Sequence, residues 1–454
     1  VEGALAEARA AILKKPDQVE AHEIVVDILV NRGMGATARS AYTQLTRDNP
    51  QAAWAWVLLG RASQNPVSAL EAYGKALELD PAQARAWAGR GDVHRALGET
   101  EDAREAYETA IAVDSTLARA YTGLGALLLQ EGRLQDALAT CELAIVSAPG
   151  DPEAYLAAAQ LAPERAQDFL VKGAQAVPDD VRLHTALGRV HLEQGNLPAA
   201  SVSFGKAQAV WPHHPDSARA LYMIGCMERG ELDSQGRISL ERAMLLGQEM
   251  PVAALDLLTT LASQAPRCSM VLAGLGLQQY QAGQVDSAET SLLSALEAAK
   301  PDPGATSWIQ GSLGMLYASE GGHANALPLL EAATASRTRD VDLAVAGGVA
   351  RAHVEGPAAG ARDLDQVARR FPGDPRPIMA LAAVLTSNGD AQAAYTVLKR
   401  ANAAHLDPTL LLALAGAARD AGDKAAAAQA LRDLSVMTAD PTWSQAADRL
   451  NAGN

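Results

Sequence analysis

Cysteine is scarce in this chain: 454 residues hold three, at positions 141, 226 and 268. They do not form a C-x-x-C pair or any other metal-binding spacing. Cys141 is expected to act as a small core residue, and a disulfide between Cys226 and Cys268 is left open. Cations are also short, with 38 Lys and Arg against 53 Asp and Glu and a net charge of −15. That deficit excludes non-specific nucleic-acid binding, which needs clustered positive charge. No apolar run approaches the length of a membrane span. Strand-like alternation and long low-complexity linkers are absent as well.

Catalytic signatures are missing too. The sequence has no phosphate-binding glycine loop, no H-E-x-x-H and no G-x-S-x-G. Ser203 to Lys206 satisfies S-x-x-K, but it falls inside a helical pattern beside Phe204 and is read as a packing coincidence. His213 and His214, followed by Pro215, lack further metal ligands at helical spacing and read as a solvated turn. His94 and His191 occupy packing positions of their helices. The expectation is a non-enzyme without cofactor or metal.

What the chain does have is a period. Proline, or a residue in its place, returns at Pro16, Pro50, Pro81, Ser115, Pro149, Pro178 and Pro212. Four of these six steps are 34 residues and the others are 31 and 29. A fixed interval of this size marks stacked copies of one small unit. Such a unit cannot bury its apolar face alone, so its copies must pile together.

The copy from Ala84 to Ser115 shows the unit. Trp87, Gly91 and His94 share one helical face, Gly98 breaks the pattern, and Ala103, Tyr107 and Ala110 share the next. Gly91 and Ala103 let two antiparallel helices approach closely, and Tyr107 fills the gap to the neighbouring pair. The template recurs in Tyr121, Leu124, Gly125, Gly132, Ala137, Cys141 and Ala144. It recurs again in His184, Leu187, Gly188, Gly195, Ala200, Phe204 and Ala207. This pattern resembles the tetratricopeptide repeat over nearly the whole chain. The resemblance implies an all-α fold, a right-handed α-solenoid of about twelve helical hairpins.

Four segments are expected. Residues 1–212 form a regular array whose first unit is incomplete, since Ala4, Ala8 and Ala11 read as a second helix without its first. Sequence upstream of Val1 is therefore expected. First helices are shortened near Gln64–Pro66 and Leu161–Pro163. Residues 213–266 are irregular: Pro212 to Pro266 is one unit plus one extra helix, assigned to Val252–Ser263. Residues 267–440 form a second array that includes Gly348, Pro372 and Gly389, and 441–454 form a capping helix and tail.

In the family that the pattern resembles, the first helices line a concave face through the second, fifth, ninth and twelfth residues of each unit. Carried onto this chain, those positions give an acidic mouth of Glu20, Glu23 and Asp27. A row of arginines follows: Arg61, Arg85, Arg119, Arg182, Arg189 and Arg219. Guanidinium suits paired hydrogen bonds to carboxylate, so the row reads either as a track for an acidic segment or as internal pairing with residues such as Asp92 and Glu153. Further along, Met270, Leu277, Tyr280, Trp308, Met315, Val345 and Val349 give an apolar stripe suited to an amphipathic helix, unless the chain itself covers it. The carboxylate clamp of some family members is not expected, because the sixth positions are Leu58, Gly89, Gly123 and Ala186 and Asn is missing from the ninth.

The implied function is a non-catalytic scaffold or adaptor that binds partner proteins, through an acidic segment, an amphipathic helix or both. The alternative is the repeat region of a larger enzyme or of a bacterial envelope, secretion or polysaccharide-export machine. Arg outnumbers Lys 30 to 8, a bias of GC-rich bacterial genomes. The cytoplasm is the default compartment, and a periplasmic or membrane-anchored setting follows if the start is trimmed. Oligomeric state is not readable.

Overall fold

Two kinds of turn punctuate the chain, and each has its own side-chain cause. Within several hairpins, as at Gly98, Gly132 and Gly195, the turn is a left-handed glycine. Gly98 follows helix Ala84–Leu97 at φ 77°. Its N–H returns to the Arg95 carbonyl, while the Glu99 N–H returns to His94, an arrangement that needs a residue without Cβ. Between several hairpins, as at Asp151–Pro152, Asp302–Pro303 and Asp407–Pro408, the signal is a capping carboxylate followed by proline. The Asp302 side chain accepts from the Gly304 and Ala305 backbone N–H groups, with Pro303 in the first turn. The cap satisfies donors that have no helical acceptor, and proline supplies a preset φ where no N–H is required.

A computed structural model describes residues 5, 8, 10–12, 14, 15, 17–31, 35–212, 214–371, 374–404, 407–438 and 440–452. Val1, Ala4, Pro16, His213 and Pro372 lie outside the described residues. Among those described there is no strand, and no helix is long and apolar enough to cross a membrane. The fold is an all-α solenoid. From Val19 onward the described residues give twelve successive helix pairs, with helices Pro215–Glu228 and Pro441–Ala452 in addition. The shortened first helices are Ala53–Ala62 and Pro152–Leu161, at 10 residues each.

The chain divides into two compact units, one of Val1–Phe169 with Leu364–Asn454 and the other of Leu170–Asp363. In the first, the hairpins interlock through aromatic knobs set against glycines. Tyr107 is fully buried. A Cβ added to Gly91 would lie 2.7 Å from its ring, and one added to Gly123, in the next hairpin, 2.4 Å. Tyr73 stands in the same relation to Gly60 and Gly89. Helix Pro441–Ala452 covers helix Lys424–Thr438, with Trp443 and Leu450 against the core. Helix Lys424–Thr438 in turn rests on helix Gly35–Asp48 of the opening hairpin.

The second unit keeps the same knob logic, with Phe204 against Gly188 and Leu292 against Gly276. Its irregularity differs from the sequence expectation. The helix assigned as extra, Pro251–Gln264, pairs with Ser234–Glu249. The odd helix is instead Pro215–Glu228, which packs against Leu197–Val210, Ser269–Gln281 and Pro303–Ser319. The reason lies in its apolar residues. Tyr222, Met223, Ile224 and Cys226 are all buried, so the helix buries more than one stripe and needs neighbours on several sides.

Candidate functional site

The predicted arginines of the first unit bind carboxylates on neighbouring first helices. Arg61 donates through Nε and Nη2 to Asp27, at 2.7 and 2.5 Å, and lies 3.8 Å from Glu23. Arg85 reaches back two hairpins to Glu20 at 2.8 Å. Arg119 donates to Asp92 at 2.6 Å, and the same carboxylate accepts from the Tyr107 hydroxyl at 2.7 Å. Burial raises the carboxyls of Glu23 and Asp92 above the ordinary range. Arg61 and Arg85 thus interlock with the acidic mouth, and Arg119 continues the ladder on Asp92.

Arg61 should therefore matter for stability. Its side chain is 17% exposed, so Arg61→Ala strips hydrogen-bonded charge from Asp27 and half-buried Glu23. The expected cost is about 1–3 kcal/mol. Urea unfolding of the single variants and of the double with Asp27→Asn measures it, with the double costing less than the sum.

In the second unit the arginines sit differently. Arg182 bonds the cap of its own helix, Asp180, at 2.9 Å. Arg219 donates to Asp216 at 2.5 Å, and Arg189 lies 3.5 Å from the same carboxylate. These two arginines therefore share one anion. Both stand on the rim of a cleft of about 630 Å³. Its apolar lining is Leu192, Phe204, Met223, Leu240 and Met270, and its outer wall is Met244 and Leu245. Leu245 is 80% exposed. Arg237 and Glu241, joined at 2.7 Å, complete the rim with Glu193.

The cleft exists because the odd helix interrupts the hairpin stacking. It brings together Arg189, Arg219 and Met270 from the predicted residues. Met270 is a correction in one respect: it is 2% exposed and belongs to the core beneath the cleft rather than to an open stripe. Its helix is flanked by Pro215–Glu228, Pro251–Gln264 and Val285–Ala298.

The other predicted apolar residues are not gathered here. Leu277 and Tyr280 are half-buried, with the Tyr280 hydroxyl donating to Ser319 at 2.7 Å. Met315 is exposed on helix Pro303–Ser319. Trp308 faces Tyr222 at 6.5 Å between ring centres. With Arg219 and Arg337 these rings line a second cavity of about 210 Å³. Sequence reading missed Met223, Arg237, Leu240, Met244 and Leu245, and the one signal for them was the 54-residue gap between Pro212 and Pro266.

Ser203, His214 and His94 have partners within the fold. The Ser203 hydroxyl donates to the Ala199 carbonyl at 3.0 Å, as helix-interior serines do. His214 caps its helix through Ser217. His94 Nδ1 lies 2.6 Å from Glu99 Oε2. With Asp102, this pair is the one grouping among the described residues whose donor atoms lie close enough to hold a metal ion, within 4.8 Å of one another. Both carboxylates are exposed, and the direct His94–Glu99 hydrogen bond accounts for the arrangement without an ion.

Residues 61–116 and 94–152 match the family model described as Tetratricopeptide repeat. No curated protein matches the sequence. Among solved structures the chain is similar to YrrB, a TPR protein with an unusual peptide-binding site, at 21% identity over 40% of this chain and 98% of that one, with a TM-score of 0.26. It is also similar to yeast Tom70, at 14% identity over 96% of each chain and a TM-score of 0.34. A tetratricopeptide repeat protein from Parabacteroides merdae gives 14% identity over 60% of this chain and 99% of that one, with a TM-score of 0.35.

Proposed function

We propose, from the premise that this chain is a multi-repeat member of the tetratricopeptide-repeat superfamily, that it is a non-catalytic scaffold holding a partner's amphipathic helix in the cleft of its second unit. The observation that carries this reading is the cleft itself. An apolar floor rimmed by two arginines that share one carboxylate matches a segment with apolar anchors on one face and acidic residues beside them. Met223 and Met244 add unbranched, adaptable side chains that accept anchors of differing shape.

The arginine ladder of the first unit is the weaker candidate for an acidic segment. Arg61, Arg85 and Arg119 each bond a carboxylate of their own, whereas Arg189 and Arg219 have only Asp216 between them.

Peptides displayed on phage and selected against the full chain test the reading. Enriched sequences should carry apolar residues at i, i+3 or i+4, and i+7, with Asp or Glu flanking them. A photo-crosslinker on such a peptide should label residues in 189–193, 216–223 or 237–245. Binders that label only the ladder around Arg61 and Arg119 would reject the cleft.

A further inference from the structure

Helix Pro215–Glu228 packs against helix Ser269–Gln281, and this contact brings together two cysteines from distant parts of the sequence. Cys226 and Cys268 are both fully buried and both free thiols. The two thiols lie within interaction range of each other, Cys268 directly preceding the Ser269 that stands at the Cys226 sulfur. Two groups approach that sulfur: the Ser269 hydroxyl at 3.9 Å and Arg229 Nη2 at 3.7 Å. A hydroxyl and a guanidinium, the latter also paired with Glu231, thus lie against Cys226 Sγ.

Cys141 shows what a merely space-filling cysteine looks like in this fold. It occupies the knob position, lies against Gly125, and burial pushes its thiol up to about 11. Cys226 is displaced the other way, chiefly by its neighbour Cys268, and the same pairing raises Cys268. Filling a core needs no cation or hydroxyl at the sulfur, whereas stabilising a thiolate does. Arg229 covers the site with a side chain that is 29% exposed, so movement of one surface residue admits a small oxidant.

We propose that Cys226 and Cys268 form a dithiol that hydrogen peroxide converts reversibly to an intramolecular disulfide. The Cys226 thiolate attacks one peroxide oxygen, the O–O bond breaks, and sulfenic acid and hydroxide form. The Cys268 thiol then attacks the sulfenic sulfur, the S–O bond breaks, and the S–S bond forms as its proton leaves with the hydroxyl as water. The proton first lost from Cys226 neutralises the hydroxide, so two thiols lose two electrons and one peroxide becomes two waters. A thiol reductant reverses the bond by exchange. The crosslink ties the helix carrying Arg219 and Met223 to the one carrying Met270, and it stands independently of any partner.

The full chain treated with hydrogen peroxide and digested without reductant provides the test. Expected is one peptide pair joined at Cys226 and Cys268, lighter by two hydrogens than its free components, with Cys141 still a thiol. The oxidised chain should melt several degrees higher, by about 4 °C or more, because the bond closes a long loop. In Cys268→Ser, dimedone should trap sulfenic acid on Cys226. Arg229→Gln should slow oxidation of Cys226 roughly threefold or more with the native circular dichroism unchanged. Two results would overturn the proposal: a folded, peroxide-treated chain without the joined pair, or Cys226 no faster than Cys141 toward peroxide in Cys268→Ser.

Discussion

Replacing Tyr107 with alanine is expected to destabilise the first unit by about 3–5 kcal/mol, the cost of deleting a large, fully buried aromatic. The ring is wedged between Gly91 of its own hairpin and Gly123 of the next, and neither can grow to fill the space. Its hydroxyl also leaves Asp92, whose carboxylate keeps Arg119 at 2.6 Å. Tyr107→Phe separates the contributions and should cost only about 1 kcal/mol. Urea unfolding followed by circular dichroism gives the size, and hydrogen exchange gives the place. Because each repeat contacts its neighbours, lost protection should centre on residues 84–130 and spare helix Pro303–Ser319. Unchanged stability, or loss spread evenly along the chain, would contradict the knob as a local lock.

Met244→Glu combined with Leu245→Glu should lower the affinity of a display-selected peptide at least about thirtyfold, close to 2 kcal/mol. These side chains form the outer wall of the cleft and are 38% and 80% exposed. They contribute little to folding, and the unfolding free energy should hold to within about 0.5 kcal/mol. Two new carboxylates beside Glu241 would repel an acidic flank and wet an apolar anchor. Val146→Glu, an equally exposed apolar site in the first unit, should leave binding intact. Equal loss in both variants would mean a general effect of surface charge and would remove the cleft from the proposal.

The repeat was legible because its physical causes recur at fixed offsets. Gly98 and Gly132 mark hairpin turns, Tyr107 and Phe204 mark knobs, and the shortened copies near Gln64 and Leu161 appear as shortened helices. Pairing was legible only in part: Asp92 was expected as a partner of the arginine row and bonds Arg119, but the longer-range pairs were not foreseen. Arg85 meets Glu20 across 65 positions and Arg61 meets Asp27 across 34. Such partners are chosen by how hairpins stack, a quantity that one hairpin's sequence does not encode. The cleft was legible only as a lapse in rhythm. The spacing announced an extra helix, but burial of Tyr222, Met223, Ile224 and Cys226 decided which one it was. Met270 fell on the expected stripe and still went inward, since the family's inward positions hold only where hairpins succeed one another evenly.

The lean of helix Lys424–Thr438 on helix Gly35–Asp48 alters how the first unit comes apart. A row of repeats ordinarily frays from its tips, where each terminal hairpin has a neighbour on one side alone. Here the early and late hairpins brace each other, so fraying at one margin uncovers the other and their melting becomes coupled. That bond spans nearly four hundred residues of chain, and so distant a closure is among the slowest contacts for a helical protein to make.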